Sequence, residues 1–385
     1  MSRERRSDEW AGPTEDGWRR HLNHTSESMA ERKAGDESPV NNDIYAGRNT
    51  FGLADEDVVF VDDDARELDP TRDPHVMTVL GPVDPAELGI TLAHEHLLAS
   101  PPATVQTEPD YRTDKWDAAL ADAESFGFAG GGAIVDCTPQ DNGRDLAGLL
   151  WVASRVSVHL IATTGFHTAL HSRGIVKGHS AQELTDGLID EIRRGDQATG
   201  VRPGQLKAAS SLDRISETER TAFAVVAHAH LATGVPITTH TEAGTMAREQ
   251  LTVLADLGVD PAHVVISHLD RRFEDGAMLR DVLSTGATIG FDQLGKPRYG
   301  PDEPKAAVIA RLIADGYVGQ ILLSHDLARR SLRPAYGGSP GMTYLLDRFV
   351  FLLLDAGVSG VDVRRILVEN PARAMTIHPP SPATC

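Results

Sequence analysis

The sequence predicts an α/β chain built on a (β/α)8 TIM barrel, and three observations carry that expectation. Short β-rich runs alternate with helical stretches eight times, an order that fits a barrel of about 300 residues better than a doubly wound sheet. No G-x-G-x-x-G or P-loop motif follows any run, so an open nucleotide-binding sheet has nothing to hold on to. Polar side chains stand at the C-terminal ends of five runs, the face on which such barrels build their sites.

Residues 1–75 precede the barrel. They hold 10 Lys and Arg against 19 Asp and Glu, a net of −9, and include Asp62, Asp63 and Asp64 in a row. A segment so charged and so short of apolar periodicity is expected to be a polar, disordered acidic extension. It reads as an interaction tail, as a solvated extension, or as sequence upstream of a start at Met29. The barrel is then expected over 76–385. Residues 76–80, followed by Gly81-Pro82, read as a short extra strand and turn. The eight runs are 90–98, 133–137, 160–165, 205–209, 236–241, 264–269, 288–292 and 321–326. Between them lie amphipathic stretches such as 217–233, whose apolar Phe223, Val226, Ala227 and Leu231 recur close to the helical period. The apolar run 349–354 suits a buried barrel helix or a homodimer interface equally well.

Composition narrows the function. Lys and Arg total 37 against 56 Asp and Glu, a formal net charge of −19. That argues against a nucleic-acid partner, because affinity for a phosphate backbone rests on clustered cations. Only two cysteines are present, Cys137 and Cys385, too few for a disulfide framework or a Cys-rich zinc site. A reducing, cytoplasmic setting is the default. Arg3, Arg5 and Arg6 are mixed with acids and lack an apolar run behind them, unlike a secretory signal. No stretch approaches the roughly 20 apolar residues of a membrane span.

The residues at the strand ends are His94 and His96, Lys207, His240, His268 and Asp326. Side chains of a strand alternate, so the two histidines of His-Glu-His share a face while Glu95 points away. An isolated H-x-H is a weak signal, and each histidine alone could be a hydrogen-bonded core residue. Recurrence at four other strand ends turns the set into a metal site. Lys207 is odd for a buried strand end, since an ammonium ion is costly to bury unpaired. Either it is carboxylated to N6-carboxylysine, an anion that can bridge two cations, or it is a salt-bridged lysine. The whole set describes a binuclear centre: His94, His96 and Asp326 around one divalent ion, His240 and His268 around the other, Lys207 between them. Such a pair lowers the pKa of a bridging water and polarises a carbonyl or phosphoryl oxygen, with Asp326 placed as catalytic proton shuttle. Zinc is the first expectation, and Mn, Co or Fe suit the same ligands.

With these motifs in view, the chain resembles the phosphotriesterase family of the amidohydrolase superfamily, over about 76–376, from Val-Met-Thr-Val-Leu-Gly-Pro to Glu-Asn-Pro371-Ala-Arg. The resemblance implies the barrel, the carboxylated Lys207 and the ligand roles just given. It also implies departures. Triesterases of the family carry a histidine and an aspartate as a proton relay where Gln293 and Arg271 stand. Quorum-quenching lactonases carry a tyrosine and an arginine where His167 and Gln293 stand. The active-face loops are instead cationic, with Lys296, Arg298 and Tyr299 in loop seven, Arg271 and Arg272 in loop six, and Arg329, Arg330 and Arg333 in loop eight. They are similar to loops of the phosphofuranose lactonases, best at Lys296 and Arg330 and more loosely at Arg271 or Arg272; solvated surface charges are the plainer alternative. The expectation is therefore a metal-dependent hydrolase that opens a lactone, an anionic or phosphorylated sugar lactone foremost, by attack of metal-bound hydroxide. Lys296, Arg330, Arg271, Arg272, His167 and Tyr299 are its candidate substrate contacts. Phosphotriester hydrolysis is the alternative, and a catalytically silent barrel that binds a ligand or partner is the reading of a different class.

Overall fold

The computed structural model describes residues 68–379, so the expected extension falls, except for 68–75, outside the described residues. Within that remainder, Asp69 accepts from the Thr71 amide at 3.0 Å and His75 is buried. His75 and Ile377 exchange backbone hydrogen bonds at 3.2 and 2.7 Å, which joins the start of the described chain to its end.

The extra strand is a hairpin. Strands β1 (Val76–Thr78) and β2 (Gly81–Val83) pair antiparallel, Thr78 opposite Gly81. Gly81 and Pro82 therefore belong to the second strand, not to a turn as the sequence suggests. Gly81 has φ +130°, a conformation open to glycine, and the Thr78 hydroxyl donates to its carbonyl at 2.7 Å.

The barrel follows as β3 (Ile90–Glu95), β4 (Gly131–Asp136), β5 (His159–Gly165), β6 (Gln205–Ser210), β7 (Ile237–Thr241), β8 (Val264–Ile266), β9 (Thr288–Phe291) and β10 (Ile321–Leu323). Each strand pairs parallel with the next in chain order. All eight expected strands are present, but five end before the expected residue, three of them (β3, β8 and β10) by three residues. His268 and Asp326 have φ of +65° and +52°, a left-handed backbone that stops the ladder before these residues. Between β3 and β10 closure comes from the Asp326 amide, which donates to the His94 carbonyl at 3.0 Å. In β3 the register moves from Leu92 opposite Ile134 to Glu95 opposite Asp136. That bulge places one extra residue beside His94 and re-aims the strand end.

Alternation sorts the strand residues into two cores: Leu160 and Ala162 of β5 join the large cluster under the helices, while Ile161 joins a smaller one with Ala93, Val135, Val265, Leu322 and Met375. The helix Glu217–Thr233 has the predicted bounds. Ser216 and Glu219 form a capping box at its start, and Gly234, left-handed, ends it. Phe223, Val226 and Ala227 are buried, but Leu231 is 46% exposed. The period explains this correction: the stripe 223, 226, 227 continues to position 230, where His230 is buried. No helix among the described residues is long and apolar enough to cross a membrane.

Candidate metal centre

All six strand-end residues converge on the C-terminal mouth. The His94 ring lies 5.7 Å from that of His96 and 4.8 Å from that of His268. His268 Nε2 is 2.9 Å from His240 Nδ1, and His96 Nε2 is 3.3 Å from Asp326 Oδ1. Ligand atoms of His94, His96 and Asp326 lie within 4.8 Å of one another, as do those of His94, His268 and Asp292. The first group is one of the two predicted ion sites. The second adds Asp292, which ends the seventh run as Asp326 ends the eighth; that parallel was the available signal, and it was given no role.

Buried partners orient these rings. His96 Nδ1 meets Thr138 Oγ1 at 2.6 Å, and His94 Nδ1 meets Ser267 Oγ at 3.0 Å. Asp292 takes His268 Nδ1 at 2.7 Å with Oδ1 and approaches His94 Nδ1 at 3.2 Å with Oδ2. With Nδ1 engaged in each case, Nε2 is the remaining ring nitrogen; in His94 it is left for an ion, whereas in His268 it meets His240 Nδ1. His94 Nε2 is buried and makes no hydrogen bond, the state expected of an atom reserved for a cation. The end of β3 is clamped from outside: Asp136 accepts from the Leu97 amide at 2.8 Å, and buried Arg333 donates to the Leu97 carbonyl at 2.7 Å.

Electrostatics put the groups in ligand form. Burial lowers the pKa of His94 and His96 and brings that of His240 down to about 4. His268 is the exception, since Asp292 outweighs burial and raises it. Burial would lift Asp326, but Lys296 and the nearby imidazoles pull it well below the ordinary carboxylate range. Neutral imidazoles beside ionised carboxylates are the protonation states that bind divalent ions. His94, His96 and Asp326 fit the first ion the sequence implies; for the second, His268 is grouped with His94 and Asp292, and among the described residues neither close group includes His240 or Lys207.

Lys207 is 0% exposed. Its Nζ donates to the Cys137 carbonyl at 2.7 Å, and no ion pair includes it among the described residues.

The candidate substrate contacts divide. Lys296 is buried, with Nζ at 2.9 Å from Gln293 Oε1 and 3.2 Å from Asp326 Oδ2. His167 stacks on His240 with ring centroids 4.7 Å apart. Tyr299 carries the guanidinium of Arg271 at 3.9 Å and that of Arg298 at 4.7 Å from its ring centre. Arg330 and Arg272 lie outside this group. Arg330 donates to the Arg112 carbonyl and to Asp114 at 2.9 Å, and Arg272 pairs with Asp275 at 3.3 Å.

A model of the phosphotriesterase family matches residues 74–375. Phospho-furanose lactonase of Mycoplasmopsis synoviae is 32% identical over 77% of this chain and 90% of its own length. N-acetyltaurine hydrolase of Rattus norvegicus is 29% identical over 78% of this chain and 97% of its own. Among solved structures, a lactonase from Listeria monocytogenes superposes with a TM-score of 0.75 at 30% identity, covering 79% of this chain and 99% of its own. The phosphotriesterase homology protein of Escherichia coli, solved with phosphate in its active site, superposes with a TM-score of 0.72 at 32% identity, covering 75% and 99%.

Proposed function

The chain belongs to the phosphotriesterase family and is a hydrolase; from that premise we propose that it opens an anionic lactone, a phosphorylated sugar lactone foremost, at a centre of two divalent ions. The observation that carries the anion is Lys296, an ammonium buried at the mouth of the centre and held by Asp326 and Gln293. The relatives support it: one is named for a phosphorylated furanose lactone, another for N-acetyltaurine, which bears a sulfonate, and the Escherichia coli homologue holds phosphate.

In this reading His94, His96 and Asp326 would hold one ion, His240 and His268 the other, with carboxylated Lys207 as a further ligand. The ions would supply a hydroxide nucleophile at neutral pH and a Lewis acid for the lactone carbonyl. Asp326, ionised and directed at His96 with one oxygen and at Lys296 with the other, accepts the proton of the attacking water and returns it to the leaving alkoxide. Lys296 exchanges its contact with Asp326 for the substrate anion, which orients the ring oxygen. Arg271, stacked on Tyr299, whose ring centre is 5.9 Å from Lys296 Nζ, is the second cation of this reading. Gln293 donates its amide to Asp326 at 2.6 Å; an amide passes on no proton, so the relay of the family's triesterases has no counterpart here.

The test compares the zinc-loaded protein on phosphorylated lactones, plain lactones and a paraoxon-like ester. Phosphorylated lactones should give the highest kcat/KM. Lys296→Ala should raise KM for them by about tenfold or more while shifting plain lactones far less. Equal losses on both would remove the anion grip, and a dominant rate on the phosphotriester would replace the lactone reading.

A further inference from the structure

We propose that Glu95, the residue between the two histidines of the H-x-H pair, is a positioning residue that sets Asp326 in place for the metal centre. The inference rests on the metal reading above, and it concerns a side chain that reaches neither substrate nor ion.

Glu95 is 0% exposed and turned away from the face that carries His94 and His96. Its carboxylate accepts four hydrogen bonds, all from one short segment on the far side of the β3–β10 junction. Oε1 accepts from Ser324 Oγ at 2.8 Å, from the His325 amide at 2.8 Å and from His325 Nδ1 at 2.9 Å. Oε2 accepts from the Leu327 amide at 2.9 Å. These donors stand immediately before and after Asp326. A buried carboxylate is costly unless its lone pairs are filled, and no Lys or Arg pairs with Glu95 among the described residues. The four donors are what satisfies it, so the carboxylate and the segment fix each other.

The segment needs such a hold. Asp326 sits at φ +52°, where residues other than glycine are found only when their surroundings over-determine them. β10 ends at Leu323, so no ladder supports Asp326; its own amide reaches back to the His94 carbonyl at 3.0 Å. The strand residue that separates two ligands thus governs the backbone of a third. The hold runs further, since His325 Nε2 accepts from the Leu345 amide at 2.9 Å and links the segment to the π-helical turn Leu345–Phe349.

The experiment uses Glu95→Gln, which keeps the size but offers one acceptor oxygen where four donors need two, and Ser324→Ala, which removes a single donor and leaves Glu95 intact. Metal-free protein is titrated with Co2+, and exchange of the peptide 324–328 is followed by mass spectrometry without metal. For Glu95→Gln one of the two ions should bind about 10 to 100 times more weakly while the other changes little, and the peptide should exchange faster. Ser324→Ala should show the same pattern at smaller size. A residue that only stabilised the fold would weaken both ions together and lower Tm. If wild-type protein takes two ions and both variants match it within twofold in affinity and exchange, Glu95 has no positioning role and the metal reading stands. If Glu95→Gln fails to fold, Ser324→Ala decides by the same two measurements. Wild-type protein that takes up no Co2+ removes the metal reading, and this role falls with it.

Discussion

Asp292 lies between one imidazole from each predicted ion site, 2.7 Å from His268 Nδ1 and 3.2 Å from His94 Nδ1. Burial alone would raise its pKa, but the charge and hydrogen bonds of the two histidines hold it well below the usual range. An ionised carboxylate that fixes both rings couples the two sites. Asp292→Asn keeps the shape but cannot accept from both rings without turning an N–H2 group toward one of them. It should lower affinity for the ions by about 10 to 100 times in a chelator competition; unchanged affinity would show that the rings are oriented without it. Lys207 poses the complementary problem. It is fully buried, its Nζ donates to one carbonyl, and among the described residues it has no counter-ion of the kind a structural ammonium requires. Lys207→Ala should lose the second ion together with activity, and short-chain carboxylates should restore part of both. Two ions retained in that variant would leave the carbamate without a purpose.

At the scale of elements, the loops after the strands hold one another. Lys305, fully buried, donates to the Gln293 carbonyl at 3.1 Å and pairs with Asp270 at 3.2 Å, bracing from behind the loop that carries Lys296. In the loop after β4, Asp141 accepts from the His167 amide at 2.9 Å and so holds the loop after β5. Burial pushes the Asp141 pKa from 3.8 to about 7, against that hydrogen bond and Lys207. The folded state therefore keeps a proton that the unfolded chain has released between about pH 4 and pH 7, so this group's contribution falls as pH rises through that window and is lost above the folded pKa. In metal-free protein the stability difference between wild type and Asp141→Asn, read from urea midpoints at pH 4.5 and 7.5, should move against the wild type at the higher pH. Parallel profiles would mean that the His167 amide keeps Asp141 ionised throughout. Such cross-loop ties mark the limit of what the sequence discloses. Buried strands and the helix Glu217–Thr233 declare themselves by periodicity, and the candidate metal ligands by recurrence at strand ends, whereas the caps Ser216 and Gly234 are seen in the structure. The left-handed backbone at His268 and Asp326 leaves no periodic trace, so the sequence pattern overruns the ends of those strands. The acids that occupy Arg330 and Arg329, namely Asp114, Glu108 and Asp110, arrive from a loop more than two hundred residues earlier. One-dimensional charge counting shows the cations and not the acids folded against them.

For the molecule as a whole, the proposed ligands come from the end of β3, from β6 and β7 and from the segments after β8 and β10, so ions at the centre would cross-link strands on opposite sides of the barrel axis. The same region gathers buried imidazoles and two ionised carboxylates, Asp292 and Asp326. Between β3 and β10 the barrel is closed by hydrogen bonds from the segment that carries Asp326, not by a ladder, so that junction has most to gain from an ion held by His94, His96 and Asp326. Ions that bind the folded chain and not the unfolded one stabilise it by mass action, about 2.7 kcal/mol at a free concentration a hundredfold above Kd. For a barrel of this size that corresponds to a Tm higher by roughly 4 °C. Chelator-treated protein should therefore melt lower than protein reloaded with zinc in the presence of bicarbonate, and the gain should shrink in Lys207→Ala, which leaves fewer ligands to span the axis. Calorimetry on the three samples measures this directly. A Tm indifferent to metal would mean that the folded barrel does not hold the proposed ions, and the hydrolase would then have to work with Asp326 and Lys296 alone.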